Sequence, residues 1–198
     1  MKNTYIYFFE GRLYINLTNR CCCDCTFCLR NNVDGVGENN LWLSQEGTKE
    51  EIVSLIAATD LKFTEAVFCG YGESTYRVDD MVYIASYLHS IGKKTRLDTN
   101  GLGSLINGYD IVPKLKGHID SVSVSLNQSD AEKYQAVTRP IYGDKAYDAM
   151  LTFAKDCLKA GMDVLLTVVD VIPTEDIEKC LRISQELGAR FRVRSYIQ

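Results

Sequence analysis

Three prolines, two histidines and one tryptophan are all that this 198-residue chain holds of those types. With so little proline there is no Pro-rich linker, so no rigid spacer splits the chain. The two histidines, His89 and His118, do not form a ligand-like pair. No apolar stretch approaches the ~18–20 residues that a membrane span needs. The amino terminus, Met1 to Phe9, carries one lysine, and Glu10 and Arg12 soon interrupt its apolar run, which makes a poor signal peptide. Net positive charge is lacking too. Lys plus Arg is 22 and Asp plus Glu is 26, a balance of −4. A general nucleic-acid surface is therefore excluded, and the one basic cluster, Arg190, Arg192 and Arg194, is too short to restore it. Hydrophobic residues at 46 % and charged residues at 24 % are ordinary globular usage, which excludes general disorder. The length suits a single domain, 1–198, with a sizeable core.

Cysteine is the residue in excess. Five of the eight cysteines fall between Cys21 and Cys28, while Cys69, Cys157 and Cys180 are scattered. A disulfide framework belongs to small secreted chains with dispersed cysteines. Neighbours such as Cys21, Cys22 and Cys23 cannot easily meet the geometry of the bond. A reducing cytoplasm and a metal site are the better reading.

Around that loop the chain alternates strands and helices. Tyr5 to Phe9 and Leu13 to Leu17 read as two strands joined by the Glu10-Gly11 turn, a short amino-terminal hairpin. Asn31 to Asn40, rich in Asn and Gly, reads as a flexible surface loop. Thr48 and Glu51 form a capping-box pattern ahead of the stripe Ile52, Leu55 and Ile56. Glu65 to Cys69, Thr95 to Asp98, Asp120 to Leu126, Val164 to Val169 and Phe191 to Tyr196 read as strands. Helices fall at Val78 to Ile91, along the stripe Tyr147 to Leu158, and from Thr174 to Leu187. Six strands from Leu13 onward alternate with helices, which predicts a parallel α/β protein. The chain is short of the ~250 residues of a full eight-unit barrel. An open six-stranded partial barrel and a doubly wound sheet both fit.

Cys21, Cys25 and Cys28 have the spacing C-x3-C-x2-C. Three thiolates on one short loop can each bind one iron of a 4Fe–4S cubane, leaving the fourth iron open to a small molecule. Zinc is the competing metal, but its structural sites want four ligands, usually two pairs on separate segments, and no second pair exists here. Cys22 and Cys23 are free thiols within the loop or substitutes in ligation. Cys157 and Cys180 lie on apolar helix faces and read as core.

With Phe27 as the aromatic, C-x3-C-x-aromatic-C after the first barrel strand resembles the signature of the radical S-adenosylmethionine (radical SAM) superfamily. The resemblance implies an α/β fold, a partial (βα)6 barrel of parallel strands with the cluster at its C-terminal mouth. It implies two cofactors, a 4Fe–4S cluster and S-adenosylmethionine. The amino and carboxylate groups of SAM chelate the open iron, and one electron cleaves SAM to methionine and a 5′-deoxyadenosyl radical. That radical takes a hydrogen atom from substrate. Gly70, Tyr71, Gly72 and Glu73 resemble the glycine-rich motif that contacts the SAM amino group, with Ser74 where the family usually has Pro. Glycines let backbone carbonyls approach a ligand closely, and Glu73 adds a charge complementary to an ammonium.

Asp98-Thr99-Asn100-Gly101 occurs at the same position in the glycyl-radical-activating branch, where the Asp and Thr help bind a monovalent cation. The second Asp and the Lys of that branch are replaced here by Ser123, Ser125 and Asn127, which can hydrogen-bond the SAM ribose or carboxylate. Arg194, on the last strand, is projected towards the SAM carboxylate. Arg139 is either a solvated cation or an anchor for a substrate anion. The chain looks most like the short radical SAM proteins associated with TatD-type nucleases, through Phe68 to Thr75, Ser123 to Pro140, Val164 to Ile172 and Phe191 to Tyr196.

The expected function is reductive cleavage of SAM acting on an unidentified substrate. The alternatives are a glycyl-radical-activating enzyme and a non-catalytic iron–sulfur electron carrier. A flavodoxin- or ferredoxin-like reductant is the expected electron source. The last strand ends near the carboxyl terminus, so no C-terminal auxiliary domain or lid is expected. A wide mouth then points to closure by a macromolecular or large substrate.

Overall fold

The computed structural model describes residues 3–196. The chain begins with an antiparallel hairpin, β1 (Ile6–Phe9) and β2 (Arg12–Ile15). The cysteine loop follows, then a small hairpin, β3 (Gly35–Val36) and β4 (Asn39–Asn40). Thereafter come α1 (Lys49–Ala57), β5 (Glu65–Phe68), α2 (Val78–Ser90), β6 (Lys94–Thr99), α3 (Gly103–Asn107), α4 (Val112–Leu115), β7 (Ser121–Ser125), α5 (Ala131–Thr138), α6 (Lys145–Lys159), β8 (Asp163–Val169), α7 (Thr174–Leu187) and β9 (Arg190–Arg194).

The strands of the main sheet lie in the order β1-β2-β5-β6-β7-β8-β9, and all neighbours after the first pair are parallel. The order never reverses. A doubly wound sheet needs a reversal to place helices on both faces. With right-handed crossovers and one direction of travel, every helix falls on the same face. Six parallel strands thus form a partial barrel, with the helices outside and an open inner face. The expected hairpin is present at its leading edge.

The two faces alternate residue by residue, as strand period dictates. Outward go Leu13, Ile15, Ala66, Phe68, Leu97, Val122, Val124, Val164, Leu166 and Val168, all in the core. They meet Ile52 and Ile56 of α1, Met81, Ile84 and Leu88 of α2, and Met150, Phe153 and Cys157 of α6. Cys157 and Cys180 are fully buried there, as expected of apolar helix faces. At α1 both halves of the capping box are formed, with the Thr48 hydroxyl accepting from the Glu51 N–H.

The Asn31 to Asn40 stretch is a structured hairpin rather than a plain loop. Gly37 turns it with φ +59°, and a Cβ at Gly35 would collide with the Asn39 carbonyl. Its Val36 packs on Tyr7, Leu41 and Tyr71, a small second core over the inner side of β1 and β2. Asn32 also donates to the Tyr196 hydroxyl at 2.6 Å, a link between this segment and the end of the last strand.

Candidate radical SAM site

The cysteine loop leaves the C-terminal end of β2 and is anchored by backbone pairing. The Asp24 N–H donates to the Thr138 carbonyl at 3.0 Å, Thr26 N–H to Val137 at 2.9 Å, and Ile141 N–H to the Cys22 carbonyl at 2.9 Å. The end of α5 and the residues just after it therefore serve as a second rail for the loop. Arg139 sits on that rail with φ +45° and reaches Asp24 at 3.8 Å, both side chains well exposed. Such a pair contributes little.

The five sulfurs divide by burial. Cys22 and Cys23 are buried in the core, whereas Cys21, Cys25 and Cys28 are half-exposed. The sulfurs of Cys21, Cys22 and Cys25 crowd the buried Cys23 thiol, which pushes its pKa up. The neighbouring Cys23 holds the Cys21 thiol down, at about 7. Burial raises Cys28, opposed by Arg30. Among the described residues no three His, Cys, Asp or Glu side chains converge on one metal ion. A cubane makes a different demand, because each of its thiolates takes a separate iron. Three accessible sulfur donors on one loop, with no nitrogen or oxygen donor among them, fit iron–sulfur ligation.

The glycine loop after β5 packs on this loop. A Cβ on Gly72 would lie 2.3 Å from the Thr18 carbonyl and 2.5 Å from that of Arg20. At Gly70 it would lie 2.0 Å from the Asn16 Oδ1. The Glu73 N–H then donates to the Arg20 carbonyl at 2.7 Å. These glycines are needed for close approach of two pieces of the chain. Tyr71 turns away from the loops, donates to the Val33 carbonyl and meets the Trp42 ring at 5.0 Å, and burial pushes its pKa to about 12.

Glu73 is 4 % exposed. Its Oε1 accepts from the Thr75 N–H at 3.1 Å, the Thr75 hydroxyl at 2.8 Å and the Thr99 hydroxyl at 2.9 Å, and Oε2 accepts from the Asn100 N–H at 2.8 Å. Burial raises its pKa, and these four donors oppose the rise. The carboxylate thus ties the loops after β5 and β6 together. Thr99 is committed to Glu73 and to the Gly101 N–H, while Asp98 accepts from the Arg96 Nε at 2.9 Å. In this arrangement the Asp–Thr pair is engaged within the protein, and not poised for a monovalent cation.

The inner face carries the remaining polar residues. Arg12 and Arg96 share Glu65 at 2.8 and 3.0 Å, and Arg96 continues to Asp98. Burial raises the Asp98 carboxyl, opposed by Arg96 and Arg194. Register sets Asp98 beside Ser123, and Ser125 beside Thr167, which is paired in turn with Arg192. Arg194 is exposed on the edge strand β9. Asn127, one turn beyond β7, has φ +59° and a buried Oδ1 without a partner among the described residues. An orphaned buried acceptor beside this polar face suits an ammonium or hydroxyl donor of a bound molecule.

The residues assigned to the cluster or to SAM thus lie on the cysteine loop, on the loops beyond β5, β6 and β7, or on the inner face of β6, β7 and β9, while Arg139 lies beyond α5. Arg96, Glu65, Asn16 and Arg20 also belong to the site and carry no local motif. Only the pairing of strands far apart in sequence brings them in.

The sequence model of the Radical SAM superfamily matches residues 15–187. A probable GTP 3′,8-cyclase of Methanocaldococcus jannaschii is 27 % identical over 193 residues, 93 % of this chain and 58 % of that protein. The chain therefore spans about three-fifths of the length of this curated relative. Streptococcus suis SuiB bound to precursor peptide SuiA superposes with a TM-score of 0.73 at 20 % identity, over 97 % of this chain and 40 % of that one. SuiB bound to S-adenosylmethionine gives 0.71 at 19 % identity, over 96 % and 40 %. The superpositions share the partial barrel, and the sequence match runs through the cysteine loop, the glycine loop and the inner-face strands β5 to β8; the chain belongs to the Radical SAM superfamily.

Proposed function

We propose that this chain is the catalytic domain of a radical SAM enzyme, with Cys21, Cys25 and Cys28 as the ligands of a 4Fe–4S cluster. Three half-exposed thiols at C-x3-C-x2-C spacing, at the mouth of a partial barrel, carry the reading. When bound, cluster and SAM together supply the reductive cleavage of SAM and the hydrogen abstraction from substrate. Cys22 and Cys23 stay thiols that pack the loop, which their burial supports.

The other residues bind and orient. Ser123, Ser125 and Asn127 offer hydroxyls and a free carbonyl oxygen to the ribose and amino acid ends of SAM. Arg194 offers a guanidinium to its carboxylate. Glu73 is a positioning residue that fixes Asn100 and the glycine loop against the cysteine loop. Tyr71 braces the β3–β4 hairpin beside the mouth. Asp98 is held by Arg96, which also binds Glu65, so these inner-wall charges are paired.

The motif resemblance supports a place near the short members associated with TatD-type nucleases. A large or macromolecular substrate is favoured by the open inner face, and a peptide occupies SuiB, a neighbour of the same fold. A low-potential flavodoxin- or ferredoxin-like donor suits one-electron reduction of such a cluster, and a reducing cytoplasm suits its thiols. Anaerobic reconstitution with iron and sulfide, followed by SAM and dithionite, tests the reading. It predicts 5′-deoxyadenosine and methionine. An iron–sulfur electron carrier would take up iron and leave SAM intact.

A further inference from the structure

Asn100 ends β6 in the turn Thr99-Asn100-Gly101, where Gly101 has φ +77°. Two hydrogen bonds of its own and one of the preceding residue leave it little freedom. Its backbone N–H donates to the buried Glu73 carboxylate at 2.8 Å. The Glu73 carboxylate also takes the hydroxyl of the preceding Thr99 at 2.9 Å. Its side-chain Oδ1 accepts from the Leu102 N–H at 2.9 Å. That last bond settles which way the amide faces, because only an oxygen can accept there. The Nδ2 therefore points at the cysteine loop, 3.3 Å from the Cys22 sulfur, 3.6 Å from Cys23 and 3.9 Å from Cys21.

A carboxamide held this way is a fixed pair of N–H donors aimed at sulfur. Its two protons face three sulfurs, with the buried Cys22 and Cys23 nearest and Cys21, the one cluster ligand among them, at the outer limit of contact. Taking one electron, a 4Fe–4S cluster goes from its 2+ to its 1+ core, and the added negative charge is shared with the ligand sulfurs. Preorganised donors aimed at charge as it develops stabilise the charged form. Hydrogen bonds to the sulfurs are among the factors that set cluster potentials. The nearby Glu73 acts the other way, since a buried carboxylate disfavours more negative charge on Cys21. Asn100 stands between the two, bound to the acid through its backbone and to the sulfurs through its side chain.

We propose that Asn100 is a positioning residue for the redox step, one whose amide N–H donation to Cys21 raises the reduction potential of the cluster. The inference rests on the ligand assignment made above. It goes beyond that assignment by giving Asn100 a role towards the cluster.

A redox titration of the reconstituted full chain, without SAM, tests it. Dithionite and mediator dyes supply the electron, and the EPR signal of the one-electron-reduced cluster is followed. Asn100→Leu keeps the size and removes the donors. It should retain the iron and sulfide content of the wild type and shift the midpoint to a more negative potential. Cys22→Ala frees an N–H for Cys21 and should leave the midpoint unchanged or move it upward. If Asn100→Leu does not assemble, Asn100→Asp keeps the Leu102 contact and replaces donor by acceptor, with the same negative shift expected. An unchanged midpoint in a variant with a full cluster overturns the proposal. Loss of the cluster in both Asn100 variants overturns it as well, because Asn100 would then serve assembly. Failure of the wild-type chain to build a cluster refutes the ligand assignment instead.

Discussion

The same parallel strands present two unlike faces. On β6, Leu97 points outward and is fully buried, while Arg96 and Asp98 point inward and pair with each other at 2.9 Å. On β7, Val122 and Val124 join the core, while Ser121, Ser123 and Ser125 line the open side. A parallel sheet covered on both faces reads as a nearly continuous apolar run. Here apolar and polar residues alternate, which marks one face as folding surface and the other as working surface. Stability and chemistry are thus separated by a single-residue step along each strand.

That separation predicts different losses on the two sides. The largest is at the mouth. Cys21→Ala, Cys25→Ala or Cys28→Ala should abolish the visible absorbance of the reconstituted cluster, while Cys22→Ala and Cys23→Ala retain it. Retention in Cys25→Ala, or loss in Cys22→Ala, would break the division between half-buried and fully buried thiols. On the outer face, Leu97→Ala should lower unfolding stability by about 2–5 kcal/mol in urea denaturation. The iron content of the protein that remains folded should be unchanged.

Between the faces lies Gly72. Adding a methyl there forces two loops apart, and Gly72→Ala should cost about 1–3 kcal/mol by the usual scale of overpacking. It should also weaken SAM binding in calorimetry, and a variant with wild-type stability would show that the loop has room. Smallest is Ser123→Ala, an inner-face change away from the core. Surface-like substitutions usually stay within about 0.5 kcal/mol. The melting temperature should hold while SAM affinity falls, and a fall in stability without one in affinity would undo the assignment of this face.

The sequence carried those parts of the molecule whose cause is local. Thr48 and Glu51 announce α1 because a capping box needs only residues three apart. The alternation Ser-Val-Ser-Val-Ser announces β7 and its two faces. The cysteine spacing announces sulfur ligation because three ligands on one short loop need nothing from elsewhere. What was hidden depends on distant partners. The Glu73 carboxylate finds Thr99 and Asn100 only after β5 and β6 pair. The contact of Asn100 with Cys21 spans 79 positions. The glycines of the loop after β5 suggested room for a ligand, yet they also make room for the backbone of Thr18 and Arg20. The β3–β4 hairpin has the sequence of a loop because its support, Tyr71 and Tyr7, comes from other elements.

The most direct test of the account is SAM cleavage by the chain itself. Purified anaerobically and loaded with iron and sulfide, then given SAM and dithionite, it should release 5′-deoxyadenosine, and the Cys25→Ala chain should release none. A wild-type chain that holds a full cluster and leaves SAM intact under those conditions would contradict the account.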